Sequence, residues 1–142
     1  MTGILLIVAG ASVFMLLGAR HFSYALADLK EPKYFAPVDR DLLPAMKATT
    51  VRLSKKAKNF WLSSLGFHFS HSVGVMFFAA ATIYVALGQP QLLADAFIDV
   101  AIVGVGASYV VMAHFFWFNI PLIGTAIGTL LMAAGMILVN FT

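Results

Sequence analysis

Residues 60–87 read FWLSSLGFHFSHSVGVMFFAAATIYVAL, without one Asp, Glu, Lys or Arg. A helix needs about 20 mostly apolar residues to cross the hydrocarbon of a bilayer, so this stretch predicts a membrane span. Its first half is mixed and carries His68 and His71; its second half, from Val73, is almost purely apolar. Gly88-Gln89-Pro90 then breaks the helix, because glycine is flexible and proline lacks a backbone donor.

Three more stretches of this kind occur, at about 3–25, 97–118 and 122–141. The first lacks the basic start of a secretory signal, and its apolar run is long for one, so it reads as a retained span. Asn119-Ile120-Pro121 leaves only a tight turn between the third and fourth, which makes those helices antiparallel neighbours. The expected fold is all-α: an integral membrane four-helix bundle in a single domain, 1–142, with an inner-face segment at 26–59. Within that segment Asp39–Lys58 begins with acids and ends with bases, which suits a helix dipole. Asp41 with Pro44 in the first turn fits a helix start. Leu43, Met46, Thr50, Leu53 and Ala57 recur at helical spacing. They predict an amphipathic helix on the membrane surface, or a cytoplasmic extension of the second span.

The composition agrees. Of 142 residues 61% are hydrophobic and 11% charged, against about 25% charged in soluble domains. So small a chain cannot hide that much apolar surface from water, and lipid must be its solvent. Cysteine is absent, which excludes disulfides and thiolate metal sites. All nine bases fall between Arg20 and Lys58, whereas Asp95 and Asp99 sit by a connection without any base. The positive-inside tendency then puts 26–59 in the cytoplasm, with both termini outside. Arg52, Lys55, Lys56 and Lys58 are placed to meet anionic lipid heads or simply to fix topology. Trp61 and Trp117 fall near the inner boundary, where indoles anchor. A net charge of +3 is too modest to indicate a nucleic-acid partner. The chain has no nucleotide loop, nucleophile motif, HExxH or paired deep carboxylates.

The four histidines, His21, His68, His71 and His114, are all inside these spans. An intramembrane ionisable group is by default a functional-site hypothesis. His68 and His71 lie seven and ten residues past Trp61, about 10–15 Å along a helix. His21 is near the inner end of its span, and His114 precedes Trp117 by a turn, so all four belong to the inner half. His68 and His71 share a helix face, with Ser64 on the same stripe. Gly10, Phe14, Leu17 and His21 form a stripe on the first span, and Gly104, Ala107, Val111 and His114 on the third. The expectation is that these faces turn inward.

Neutral imidazole binds copper, zinc and iron, and the lack of cysteine and of a deep carboxylate points to an all-nitrogen site. A transition metal ion (Cu, Zn or Fe) is one candidate. Haem b is the other, held by His71 with His21 or His114, and with Arg20 or Lys58 near its propionates. The competing expectation is structural, with each histidine bonded to a serine (Ser63, Ser64, Ser70, Ser72 or Ser108) or to a backbone carbonyl. Arg20 either reaches the headgroups, pairs with Asp39 or meets an anionic ligand. Gly124-x-x-x-Gly128, with Gly135 seven residues on, signals close helix packing within the chain or against another subunit.

The order G-A-R-H at Gly18–His21, F-A-P-x-D at Phe35–Asp39, Met46, then W-L-x-x-x-G-F-H-x-S-H-S at Trp61–Ser72 with Gly74 after it resembles an uncharacterised family of small four-span bacterial membrane proteins. The likeness covers Gly18–Gly74. It implies the four-span fold and no activity. Members with Asn at the position of His68 weigh against that residue as an obligatory ligand. A looser likeness to DoxX-like four-helix membrane proteins rests on span count.

Three functions are consistent with these features. The first is a membrane protein whose inner-half histidines bind a metal or haem for redox chemistry. The second is a non-enzymatic accessory or assembly subunit of a larger membrane complex or homo-oligomer. The third is a binder of a lipid-like small molecule. Membrane lipids are partners in all three.

Overall fold

The computed structural model describes residues 1–54 and 56–141. Among these residues five helices follow one another: α1 (Thr2–Lys30), α2 (Leu42–Ala48), α3 (Phe60–Gly88), α4 (Ala96–Phe116) and α5 (Asn119–Phe141), with a 3-10 turn at Pro90–Ala94 before α4. α1, α3, α4 and α5 are long and apolar enough to cross a membrane, so the fold is the all-α membrane bundle expected. No strand occurs among the described residues, only an isolated bridge between Thr50 and Asn59.

Local chemistry sets the helix ends. Asn59 Oδ1 accepts from Leu62 N at 2.9 Å at the start of α3. Asp95 caps α4 by accepting from Phe97 N at 2.8 Å, and Asp99 lies in the first turn, where the dipole favours an acid. Pro121 sits in the first turn of α5, where its missing N–H costs nothing. α1 runs on to Lys30 until Pro32, which disfavours helical geometry in the residue before it.

The inner connection carries a helix that starts where expected, after Asp41 with Pro44 in its first turn, but it is shorter than the spacing implied. α2 has 7 residues and buries none of them, Asp41 makes no side-chain cap, and Leu53 is fully exposed. Helix ends at Ala48 because the β-branched run Thr49-Thr50-Val51 loses rotamer freedom in a helix. The chain takes an extended course instead, with Phe60 N donating to Thr49 O at 2.8 Å. Arg52, Lys56 and Lys58 are exposed, and Lys55 lies outside the described residues.

The chain divides into two compact units, one of Met1–Leu17 with Val75 onward and one of Gly18–Gly74. In the first, parts of α1 and α3 pack with α4 and α5 around Phe14, whose ring meets Phe78 at 5.3 Å and Tyr109 at 5.8 Å, both edge to face. Ile7, Ala11, Val75, Ala79, Met132 and Met136 complete the centre. α1 and α5 cross antiparallel with almost no side chain between them. A Cβ on Gly135 would stand 2.5 Å from Gly3 O, and one on Gly128 would stand 2.8 Å from the Phe14 ring. The glycine spacing of α5 is therefore used inside the chain, against Gly3 and Gly10 of α1.

In the second unit the end of α1, residues 31–59 and the start of α3 bury Ala25, Asp28, Trp61, Leu65 and Ser72. Trp61 is 3% exposed. It is a core residue of this unit and not the interfacial anchor its position suggested.

Candidate functional site

The second unit brings three of the four histidines together. His21 comes from the last turns of α1, and His68 and His71 from the mixed first half of α3. His21 Nε2 and His68 Nδ1 are 3.0 Å apart, so one ring supplies the proton and the other the lone pair. Their centroids are 5.1 Å apart, and the His71 ring stands edge-on to His21 at 5.3 Å. The shared face of His68 and His71 thus turns toward α1, as the i, i+3 spacing requires. All three imidazoles are half-buried.

Aromatic rings wall the group. Phe35 lies parallel on His68, with centroids 3.8 Å apart and planes 11° apart, and it also meets His21 at 4.8 Å. Phe67 lies parallel to His71 at 6.5 Å, and Phe22 packs on Phe69 at 5.2 Å. Ser72 Oγ donates to His68 O at 2.8 Å, Ser70 Oγ to Phe67 O at 2.9 Å and Ser63 Oγ to Lys58 O at 3.3 Å. These three hydroxyls satisfy backbone carbonyls, while His21 and His68 bond each other. Ser64 lies half-buried on the face of His68.

Asp28 and Phe35 are the residues that sequence reasoning passed over. Asp28 is 1% exposed. Its Oδ1 accepts from Lys33 N at 3.0 Å and Tyr34 N at 2.9 Å, and its Oδ2 from Phe35 N at 2.7 Å. A carboxylate in the last turn of a helix is disfavoured by the dipole, and three convergent N–H donors offset that. Its spacing carried no signal of burial, since an acid among Lys30, Glu31 and Lys33 reads as a solvated charge.

His114 lies in the other unit. It is exposed on α4, with its ring against Phe115 at 4.9 Å. Gly104, Ala107 and Val111 are exposed as well, so the expected inward stripe of this helix faces outward. Ile102, Gly106 and Ala113 pack instead, and a Cβ on Gly106 would meet Thr129 Oγ1 at 2.8 Å. Arg20 is turned onto Tyr24, with its Nε donating to Tyr24 Oη at 2.7 Å and its guanidinium over the ring at 4.8 Å.

Among the described residues no group of three or more His, Cys, Asp or Glu side chains is placed so that it could hold a metal ion. The arrangement is a facing pair of nitrogens with a third imidazole beside them. No family model, curated protein or solved structure matches the chain.

Proposed function

We propose that this is a multi-pass protein of a bacterial inner membrane that binds a transition metal ion through His21 and His68, with His71 completing the set, in the cytoplasmic half of its spans. The observation that carries the proposal is the 3.0 Å approach of His21 Nε2 to His68 Nδ1 from two different helices. An ion held by each nitrogen at about 2.0–2.1 Å keeps two ligands about 3.5 Å apart at the trigonal angle of a three-nitrogen site, so about half an ångström of opening suffices.

The surroundings favour a small ion of low charge. The His71 ring stands edge-on to His21 at 5.3 Å, an arrangement that supports an ion over a haem held between those two rings. Desolvation cost grows with the square of the charge, and the nearest buried carboxylate, Asp28, is committed to backbone N–H groups. Two or three neutral nitrogens without a counter-charge suit monovalent copper better than a divalent zinc seeking four ligands. Its chemistry would be one-electron transfer or copper handling at the membrane. The test is elemental analysis and an optical spectrum of protein purified without chelator, followed by titration with Cu(I) against a colorimetric Cu(I) chelator. One copper per chain, lost in His21→Ala and His68→Ala, is expected. A chain that takes up neither copper nor zinc and shows no Soret band would sink the proposal.

A role as an accessory subunit draws support from α4, of whose most apolar window only 17% is buried, against 28–33% for the other three long helices. A mild-detergent preparation holding a second protein in fixed ratio would favour it. A lipid-like ligand has a smaller foothold, an apolar cleft of about 170 Å³ between α3 and α4 lined by Phe78, Thr82 and Ile102. That volume is below the usual 300–1,000 Å³ of ligand pockets.

A further inference from the structure

The segment after α1 is fastened unusually well for a surface loop. Pro32 turns the chain, and three successive N–H groups, of Lys33, Tyr34 and Phe35, then converge on the two oxygens of buried Asp28. Consecutive N–H groups pointing into one concavity form an anion nest, and here the anion belongs to the protein. Bonds to an ionised acceptor are among the stronger hydrogen bonds in proteins. The Tyr34 ring adds a second fastening by stacking on Tyr24 of α1 at 4.3 Å and 24°. The outcome is a fixed place for the Phe35 ring, parallel on His68 and tilted on His21.

We propose that Asp28 is a positioning residue for the imidazole site, acting through Phe35. Its nest holds residues 33–35 as a latched lid, and the Phe35 ring covers the face of the His21–His68 pair. Covering that face does two things. It fixes the plane of the His68 ring, which aims Nδ1 at His21. It also shields that face from water, so an incoming ion or proton reaches that face only when the latch opens. The lid stands on hydrogen bonds and ring stacking alone; its consequence for an ion rests on the metal reading above.

The experiment uses the full chain in detergent without added metal. Histidine modification by diethyl pyrocarbonate is followed residue by residue by mass spectrometry, and amide hydrogen exchange of residues 33–35 is measured beside it. His114, exposed in the same chain, is the internal standard. In the native protein His21 and His68 react more slowly than His114. Asp28→Asn keeps the shape, removes the charge and sets an N–H against an N–H donor. It is expected to raise both amide exchange and His68 reactivity by about ten- to a hundredfold, the factor lost with charge-assisted bonds of about 1.5–3 kcal/mol. Phe35→Ala is expected to raise His68 reactivity alone, with the amides of Lys33 and Tyr34 still protected.

Freed amides with unchanged His68 reactivity in Asp28→Asn would reduce Asp28 to a loop cap. Unchanged reactivity in Phe35→Ala, which keeps the nest and so tests the lid even if Asp28→Asn does not fold, would remove the ring as a cover. Because these readouts need no metal, they succeed or fail separately from copper binding. If copper binds, both variants should surrender it faster to a chelator, and equal release rates would overturn the access role.

Discussion

Gly135→Ala adds one methyl group where α1 and α5 touch backbone to backbone. The new Cβ would lie 2.5 Å from Gly3 O, 2.6 Å from Ile7 Cγ1 and 2.9 Å from Ile7 N, whereas ordinary contact begins at 3.4 Å. Two of the three opposing atoms are main chain, so no rotamer change relieves the overlap, and the helices must part by about an ångström. A gap of 0.5–1 Å forfeits a quarter to a half of each dispersion contact it opens, and overpacking of this kind costs about 1–3 kcal/mol. Alanine returns up to about 1 kcal/mol over glycine in a helix. The net expectation is a loss of about 1–2 kcal/mol. Gly104→Ala is the matched control, since nothing lies within 4 Å of its Cβ. The same chemical change there should be neutral or stabilising by up to about 1 kcal/mol. Titrating the folded chain in mild micelles with dodecyl sulfate, followed by far-ultraviolet circular dichroism, measures both. Equal shifts at 104 and 135 would refute the close crossing and with it the intramolecular use of the glycine spacing.

Phe14→Ala removes a fully buried ring that meets two other aromatics, and should cost about 3–5 kcal/mol. Phe77→Ala, at a position 73% exposed, should stay within about 0.5 kcal/mol in the same unfolding assay. His114→Ala should leave copper stoichiometry at the native value while His21→Ala abolishes it; loss of copper in both variants would return His114 to the ligand set. Because the chain has no cysteine, single cysteines at Gln91 and Arg40 report orientation without background. An impermeant maleimide added outside intact cells should label the first and not the second, and the reverse pattern would invert the topology.

The spans were legible because length and apolarity alone decide them: a bilayer needs about 20 residues, and the chain offers four such runs. The facing of α1 and α3 was legible too, for a different reason. Gly10, Phe14 and Leu17 stand on one stripe that α5 covers, and His68 with His71 on one stripe that meets His21. α4 was not legible. It is apolar on every side, so periodicity cannot choose a face. The small stripe of Gly104 and Ala107 proved open, while Gly106, two residues from one and one from the other, carries the close contact. The inner connection misled because hydrophobic spacing was weighed above propensity. Leu43 to Ala57 keeps the helical period, yet the Thr49-Thr50-Val51 run stops the helix after Ala48.

Asp28 shows the limit most clearly. An acid near a helix end, among Lys30, Glu31 and Lys33, has the signature of a solvated charge, and nothing in its spacing announces burial. Its burial is set by where the chain goes after Pro32, a non-local outcome of one turn. Once that turn is made the carboxylate has no choice: water is gone, the helix dipole opposes it, and only the N–H groups of the following residues can satisfy it. The demand runs both ways. A buried charge that must be met fixes the backbone that meets it, and the backbone fixes Phe35 over the imidazoles. The site therefore depends on an electrostatic obligation created some 10 Å or more up the chain from His21, about seven residues along a helix. A change that neutralises Asp28 should disturb the histidines more than an equally large change on the exposed side of the same turn, such as Leu29→Ala. Comparing His68 reactivity in those two variants separates a specific latch from general softening of the end of α1.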